Sequence, residues 1–176
     1  MKLAKRILFG VILLIIIFSA AALFVPNQYG VSRSIIINAS SDKIYPLIAS
    51  PKEWKKWAIW NLRDPNMEIL YSGPESGPGA AWEWKSKGEG NGGMKFTQAA
   101  PNQALNYEMH LDAMKKPSNG TLLLEAQGGS TKITWSMTGS SEGDFGTKLF
   151  VPFMDKLVGG DFETGLNNLK VLAEKN

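Results

Sequence analysis

The stretch 145-FGTKLFVPFMDKLVGGDFETGLNNLKVL-172 decides the fold. Its apolar residues recur at helical spacing: Leu149, Phe153 and Leu157 form one row, and Phe162 resumes the stripe after two glycines. The pattern predicts a long helix with a wide, aromatic face. No other helical pattern in the chain is large enough to cover that face, so the cover must be a sheet.

Residues 69–139 supply that sheet as strand-like runs broken by glycine turns. The clearest run covers residues 105–112, where every second residue is apolar, which predicts one buried face and one wet face. An earlier strand covers residues 31–38, and two short helices follow it, one over residues 42–49 and one from Pro51. The order predicts an α+β fold in which a curved antiparallel sheet of about six or seven strands wraps around the C-terminal helix.

The first 25 residues have the pattern of a membrane segment. Basic residues stand at the start, and an uncharged apolar run of about the length that spans a bilayer continues to Val25. We expect an N-terminal transmembrane helix, a single-pass location in the cytoplasmic membrane, and the rest of the chain on the periplasmic or extracytoplasmic side. A cleaved signal peptide is the alternative, because small residues at 19–22 suit signal peptidase. The anchor is favoured because the apolar run continues past that site.

The charge of the remaining chain does not indicate a nucleic-acid partner. The formal net charge of +3 comes from the three basic residues of segment 1–25, and the other 16 of the 19 basic residues balance 16 acidic ones. Residues 26–30 form a linker, and the domain over residues 31–176 is therefore neutral, with no basic run to meet a phosphate backbone. The absence of cysteine excludes disulfides, a thiol nucleophile and thiolate metal ligands.

Several segments resemble the START-like helix-grip superfamily, also called SRPBCC or polyketide cyclase/dehydrase-like. Those similar to its first strand and helices are 34-SIIINAS-40, 44-IYPLI-48 and 51-PKEWKKW-57. The turn 71-YSGPESGPG-79, followed by Trp82, resembles its glycine turn, and 160-GDFETGLNNLK-170 resembles its final helix. The resemblance covers roughly residues 31–175. It implies the helix-grip fold, in a superfamily that includes lipid carriers, plant-hormone receptors and cyclases.

Aromatic and methionine side chains converge between the predicted sheet and helix. From the residues alone, a closed core and an open hydrophobic cavity are both compatible with this pattern. The family resemblance favours the cavity. The predicted lining residues are Trp82, Trp84, Met94, Phe96, Tyr107, Met109, Trp135 and Met137 on the sheet, with Phe150, Phe153, Met154 and Leu157 on the helix.

Few residues suit catalysis or metal binding. His110, the single histidine, alternates out of the apolar face and is interpreted as a surface residue. Asp161 and Glu163 lie two apart on the helix and point to different sides, and Asp161 is interpreted as a cap where the helix restarts after the glycines. We therefore predict no catalytic residue, no metal and no cofactor.

The combined pattern predicts binding or carrying of a hydrophobic small molecule or lipid at the outer side of the cytoplasmic membrane, with residues 1–25 as the membrane contact. One alternative is a cyclase/dehydrase-like enzyme using Tyr107 or Glu83, and another is a membrane-tethered protein-interaction module. The pair Gly159-Gly160 is expected to interrupt the long helix, either for close approach to the sheet or as a hinge. Close approach is favoured, since packing explains most helix glycines.

Overall fold

The computed structural model describes residues 5–7, 9, 10, 13 and 24–175. The strands are β1 (Gln28–Ile37), β2 (Glu68–Ser72), β3 (Ala81–Lys85), β4 (Gly92–Ala100), β5 (Ala104–Leu111), β6 (Ser118–Gln127) and β7 (Ser130–Ser140). The helices are α1 (Ser41–Ala49), α2 (Pro51–Trp54), α3 (Ile59–Arg63), α4 (Phe145–Phe150) and α5 (Met154–Lys175), with a 3-10 turn, Val151–Phe153, between the last two. The seven strands form one antiparallel sheet in the order β1-β7-β6-β5-β4-β3-β2.

The predicted sheet and long C-terminal helix are present, and they form the helix-grip arrangement. Alternation places one face of each long strand in the core: Trp82 and Trp84 on β3, Leu105 and Tyr107 on β5, and the same pattern along β7. The helix α5 buries Phe162, Leu166, Leu169 and Ala173 together with two glycines, Gly159 and Gly165. The core therefore lies between this helix and the inner face of the sheet.

The membrane prediction requires correction. Within the described residues, no helix is long and apolar enough to cross a membrane. On this finding the predicted transmembrane helix is wrong, and the single-pass placement in the cytoplasmic membrane with the domain on its outer side is wrong with it. Most of the segment 1–25 lies outside the described residues.

The break in the C-terminal helix falls at Pro152, and the expected interruption at Gly159-Gly160 is wrong. A proline ring lacks the N–H that continues the helical ladder, and here the 3-10 turn separates α4 from α5 at that residue. Beyond the turn, α5 runs unbroken from Met154 to Lys175 through both glycines. Both glycines therefore lie inside a continuous helix.

The apolar row of α5 that faces the sheet is also not the row predicted from the sequence. The expected row is exposed: Leu149 is 39% exposed, Phe153 58% and Leu157 57%. The neighbouring row, which contains Met154, Val158 and Phe162, packs against the core instead. A stripe as wide as this one contains two adjacent rows, and only the row beside Gly159 and Gly165 can approach the sheet closely.

Gly159 lies against an arginine from the sheet edge. Arg33 on β1 donates from Nε to Glu163 (2.6 Å) and from Nη1 to Asp155 (2.8 Å), so its guanidinium joins two carboxylates of α5. A Cβ at position 159 would collide with that guanidinium, whereas a Cβ at Gly160 would meet nothing within 4 Å. The close-approach explanation therefore applies to Gly159 alone.

This difference makes the two glycines a matched pair for mutation. Gly160→Ala should raise the free energy of unfolding by up to about 1 kcal/mol, because alanine is the better helix former. Gly159→Ala should raise the free energy of unfolding less, because the guanidinium of Arg33 must leave its two carboxylates to make room for the new methyl group. In an Arg33→Ala background, the two alanine changes should become equivalent. Urea unfolding of the six proteins, the unmodified chain and five variants, tests this, and equal effects in the original background would contradict it.

Candidate ligand-binding site

One half of the space between sheet and helix is filled by aromatic rings. The indole of Trp54 lies at its centre, with ring centroids 4.6 Å from Trp57, 5.5 Å from Trp82 and 5.5 Å from Trp135. The indole N–H of Trp54 donates to the Ile48 carbonyl at 2.7 Å, so the polar group of this buried ring has a hydrogen-bond partner. These tryptophans are part of the core.

The other half contains a cavity of about 210 Å³ beneath the first turns of α5. Its lining is mostly apolar, with methionines from β5, β7 and α5 and from the segment after β5. The residues that line it are Tyr29, Trp60, Arg63, Trp84, Glu89, Tyr107, Met109, Leu111, Met114, Ser118, Met137, Met154, Val158, Asp161 and Phe162. Methionine suits such a wall because its unbranched side chain adapts to different ligand shapes.

Five of the twelve predicted lining residues surround this cavity: Trp84, Tyr107, Met109, Met137 and Met154. Four others, Trp82, Met94, Phe96 and Trp135, are buried in the core away from it. The remaining three, Phe150, Phe153 and Leu157, are 57, 58 and 57% exposed, so the inward orientation expected for them is wrong. For Leu157 the physical reason is the phase of α5 after Pro152, which turns its row to solvent, whereas Phe150 ends the separate helix α4 before that proline.

Two tyrosines reach the cavity across glycines of neighbouring strands. The ring of Tyr107 on β5 lies over its register partner Gly120 on β6, and the ring of Tyr29 on β1 lies over Gly139 on β7. A side chain at either glycine would collide with the ring. Tyr29 is not among the residues predicted from the sequence, because the signal that identifies it is a cross-strand tyrosine–glycine pair, and strand register is needed to see that pair.

The hydroxyl groups of these tyrosines are among the few polar groups of the residues that line the cavity. Tyr29 Oη and Ser118 Oγ are hydrogen-bonded at 3.0 Å. Tyr107 Oη accepts from Trp135 Nε1 at 2.8 Å, and no acceptor for its own proton is found in residues 24–175. Burial raises the pKa of Tyr107 well above its ordinary range, although the bond from Trp135 opposes this shift. The group is therefore a neutral phenol at neutral pH.

Three charged residues lie on one side of the cavity. Arg63 on α3 donates from Nε and Nη2 to Glu89 (2.9 and 2.6 Å) and from Nη1 and Nη2 to Asp161 on α5 (2.6 and 2.9 Å). We call this group, Arg63 with Glu89 and Asp161, the ionic rim. It corrects the expected role of Asp161 as a cap, because the helix does not restart there and the carboxylate binds Arg63.

The other candidates from the sequence lie away from the cavity. His110 is on the outer face of the sheet, half exposed, with Nε2 3.4 Å from Glu83 Oε2. Glu83 therefore does not reach the interior. Among the described residues, no group of three or more histidine, aspartate or glutamate side chains is placed to hold a metal ion.

A larger depression of about 410 Å³ lies at the outer edge of the sheet. Charged side chains such as Glu68, Glu83, Lys85 and Asp112 contribute to its lining. Solvated charges at an open surface do not exclude water from an apolar ligand, so the cavity beneath α5 is the better binding site despite its smaller volume.

A long helix held against an antiparallel sheet over an apolar cavity defines the class of helix-grip proteins. Within this class, the chain belongs to the family described as polyketide cyclase / dehydrase and lipid transport, which it matches over residues 28–174. The resemblance to the START-like helix-grip superfamily is thus confirmed. Proteins of this fold commonly bind hydrophobic ligands.

Solved structures share the fold at low sequence identity. Truncated norcoclaurine synthase from Thalictrum flavum is 16% identical, with a TM-score of 0.66 over 85% of this chain and 95% of its own. Protein CV1439 from Chromobacterium violaceum is 14% identical, with a TM-score of 0.56 over 84% of this chain and 97% of its own. Ara h 8.0201 is also 14% identical, with a TM-score of 0.53 over 85% of this chain and 99% of its own. No curated protein sequence matches the chain.

The buried phenol has a measurable consequence at high pH. Because the folded state keeps the Tyr107 proton and the unfolded state loses it above about pH 10, the free energy of unfolding should fall as the pH rises through that range. The fall should be smaller in Tyr107→Phe. In the folded protein, the tyrosinate absorbance that develops near pH 10 should be the same for both proteins. A smaller amplitude in the variant would show that Tyr107 titrates normally.

Proposed function

We propose that the chain binds a small, predominantly apolar molecule in the cavity beneath α5. The observation that carries this proposal is the cavity itself: a mostly apolar wall with two phenolic hydroxyl groups, next to a core that is otherwise filled by rings. A few polar atoms in an apolar wall are typical of sites that orient a ligand. Membership of a family described by cyclisation, dehydration and lipid transport supports the same function.

The size of the cavity limits the ligand. An apolar cavity of about 150 Å³ takes up benzene, and drug-sized ligands occupy pockets of about 300–1,000 Å³. At about 210 Å³, this cavity accommodates one ring with a short tail, or a short acyl chain. The tryptophans that fill the other half of the interior are the reason that a larger lipid does not fit without rearrangement.

The proposed contacts are those side chains that line the cavity. Trp84, Tyr107, Met109, Met137 and Met154 are retained from the sequence prediction, and Tyr29, Val158 and Phe162 are added. Val158 and Met154 project from α5 one turn apart and form its roof. A ligand therefore contacts the helix on the row that faces inward.

Adjacent residues of α5 provide a direct test with 3-phenylpropan-1-ol as the probe. Val158→Trp should abolish saturable binding, because the indole occupies the cavity. Leu157→Trp should leave the affinity unchanged, because that side chain is 57% exposed. Calorimetric titration gives the affinities, and near-ultraviolet circular dichroism checks the fold. Val158→Phe serves as a milder substitution if Val158→Trp does not fold.

Two outcomes of this titration would contradict the proposal. If the unmodified protein has no saturable site for the probe, the cavity is not a binding site for ligands of this size. If Val158→Trp binds as tightly as Leu157→Trp, the probe binds elsewhere.

An enzyme is the second candidate, and the free donor of Tyr107 is the observation that favours it. The raised pKa makes this phenol unsuitable as a general base, so its contribution would be a hydrogen bond to an oxygen that gains charge during the reaction. Norcoclaurine synthase, one of the structural neighbours, is an enzyme on this fold.

This second candidate predicts turnover of a cyclisable aromatic substrate that falls by roughly 10²-fold in Tyr107→Phe, with little change in substrate affinity. Chromatography of reaction mixtures measures the product. Equal product from both proteins would remove Tyr107 from the reaction. If the protein binds 3-phenylpropan-1-ol but turns over no substrate, the enzyme candidate is rejected and only the binding function remains.

A further inference from the structure

The geometry points to a preference for ligands that carry an ammonium group or another cationic hydrogen-bond donor beside their apolar body. The ionic rim is the basis for this inference. Among the described residues that line the cavity, Arg63, Glu89 and Asp161 are the charged ones, so one positive charge faces two negative charges. The inference rests on the proposed function, because it names the class of ligand for the same cavity.

Hydrogen-bond capacity at the rim supports the same conclusion. A guanidinium carries five N–H groups, and Arg63 uses four of them on the two carboxylates. Each of the four carboxylate oxygens accepts one of these bonds and retains further acceptor capacity. The rim therefore offers a ligand one spare donor and several spare acceptors, which suits a group that donates.

The charges of the rim are positioned to act on a bound ligand. The side chains of Glu89 and Asp161 are 20% and 28% exposed, so they are partly removed from water while still bordering the cavity. A charge in such surroundings acts over a few ångströms with an effective dielectric constant of about 20, well below that of water. The excess negative charge should attract an ammonium group and repel a carboxylate.

Arg63 cannot easily reverse this preference. To bind an anionic ligand in a bidentate manner, its guanidinium would have to leave at least one of two carboxylates that it already contacts in this way. The same contacts hold the pKa of Arg63 above its ordinary range, so its charge remains and stays paired. Fatty acids and other carboxylates are therefore the disfavoured class of apolar ligand.

Aromatic walls beside the rim suit the same class of ligand. Trp60 lies on α3, three residues before Arg63, and Trp84 lies on β3; both line the cavity. An ammonium group is attracted by the face of an indole ring within about 6 Å. A ligand with its apolar body towards Tyr29 and Met137 can therefore place a cationic head near these rings and the two carboxylates.

Three probes with one apolar body test the inference: 3-phenylpropan-1-amine, 3-phenylpropan-1-ol and 3-phenylpropanoate, titrated calorimetrically at pH 7 and low ionic strength. The amine should bind roughly tenfold more tightly than the carboxylate, with the alcohol between them. Added salt should reduce the difference. A carboxylate that binds as tightly as the amine would overturn the inference while leaving the proposed cavity function intact.

Two variants of α5 localise the effect. Asp161→Asn removes one charge of the ionic rim and should reduce the preference for the amine to about threefold or less. Asp155→Asn removes the same charge from the Arg33 contact on the other side of the helix, outside the cavity lining, and should leave the preference unchanged. Equal effects of both variants would show that general protein charge causes the preference, and would overturn the assignment to the rim. Failure of all three probes to bind would reject both the inference and the proposed function.

Discussion

The stacking of Phe162 on Trp135 is the contact on which the interior depends. The two rings are 3.9 Å apart between centroids and 4° from parallel, and they join α5 to β7, the neighbour of the edge strand β1. Gly165, one turn further along the helix, leaves the space that Trp135 and Trp57 occupy. A helix held this close by flat rings has one permitted rotation about its axis, and that rotation decides which of its side chains face the cavity.

This contact also separates the filled half of the interior from the open half. On one side, Trp57 and Trp82 pack around Trp54 and leave no space for a ligand. On the other side, methionines and the two tyrosines leave a cavity of about 210 Å³. The two readings of the aromatic residues, closed core and open cavity, are therefore both present, each in its own part of the molecule.

Arginines hold the first turns of α5 from both sides. Arg33 contacts Asp155 and Glu163 from β1, and Arg63 contacts Asp161 from α3. Asp161 and Glu163 thus point to opposite sides of the helix, as their spacing predicts. The roof of the cavity is fixed in this way without filling the cavity with large apolar side chains. The carboxylates on the Arg63 side are also the negative charges that border the cavity, so one set of contacts both holds the helix and sets the charge beside the proposed site.

The sequence by itself determined the elements that repeat a local pattern. Alternation along β3, β5 and β7 identified the inward residues correctly, including Trp84, Tyr107 and Met137, because strand geometry sends every second side chain to the same face. It also placed His110 on the outer face.

Only the tertiary structure decided the rotation of α5, the partner of Asp161 and the role of Tyr29. These depend on which residues from distant segments meet: a wide apolar stripe is compatible with several rotations, and the ionic rim joins three segments whose spacing in the chain carries no signal.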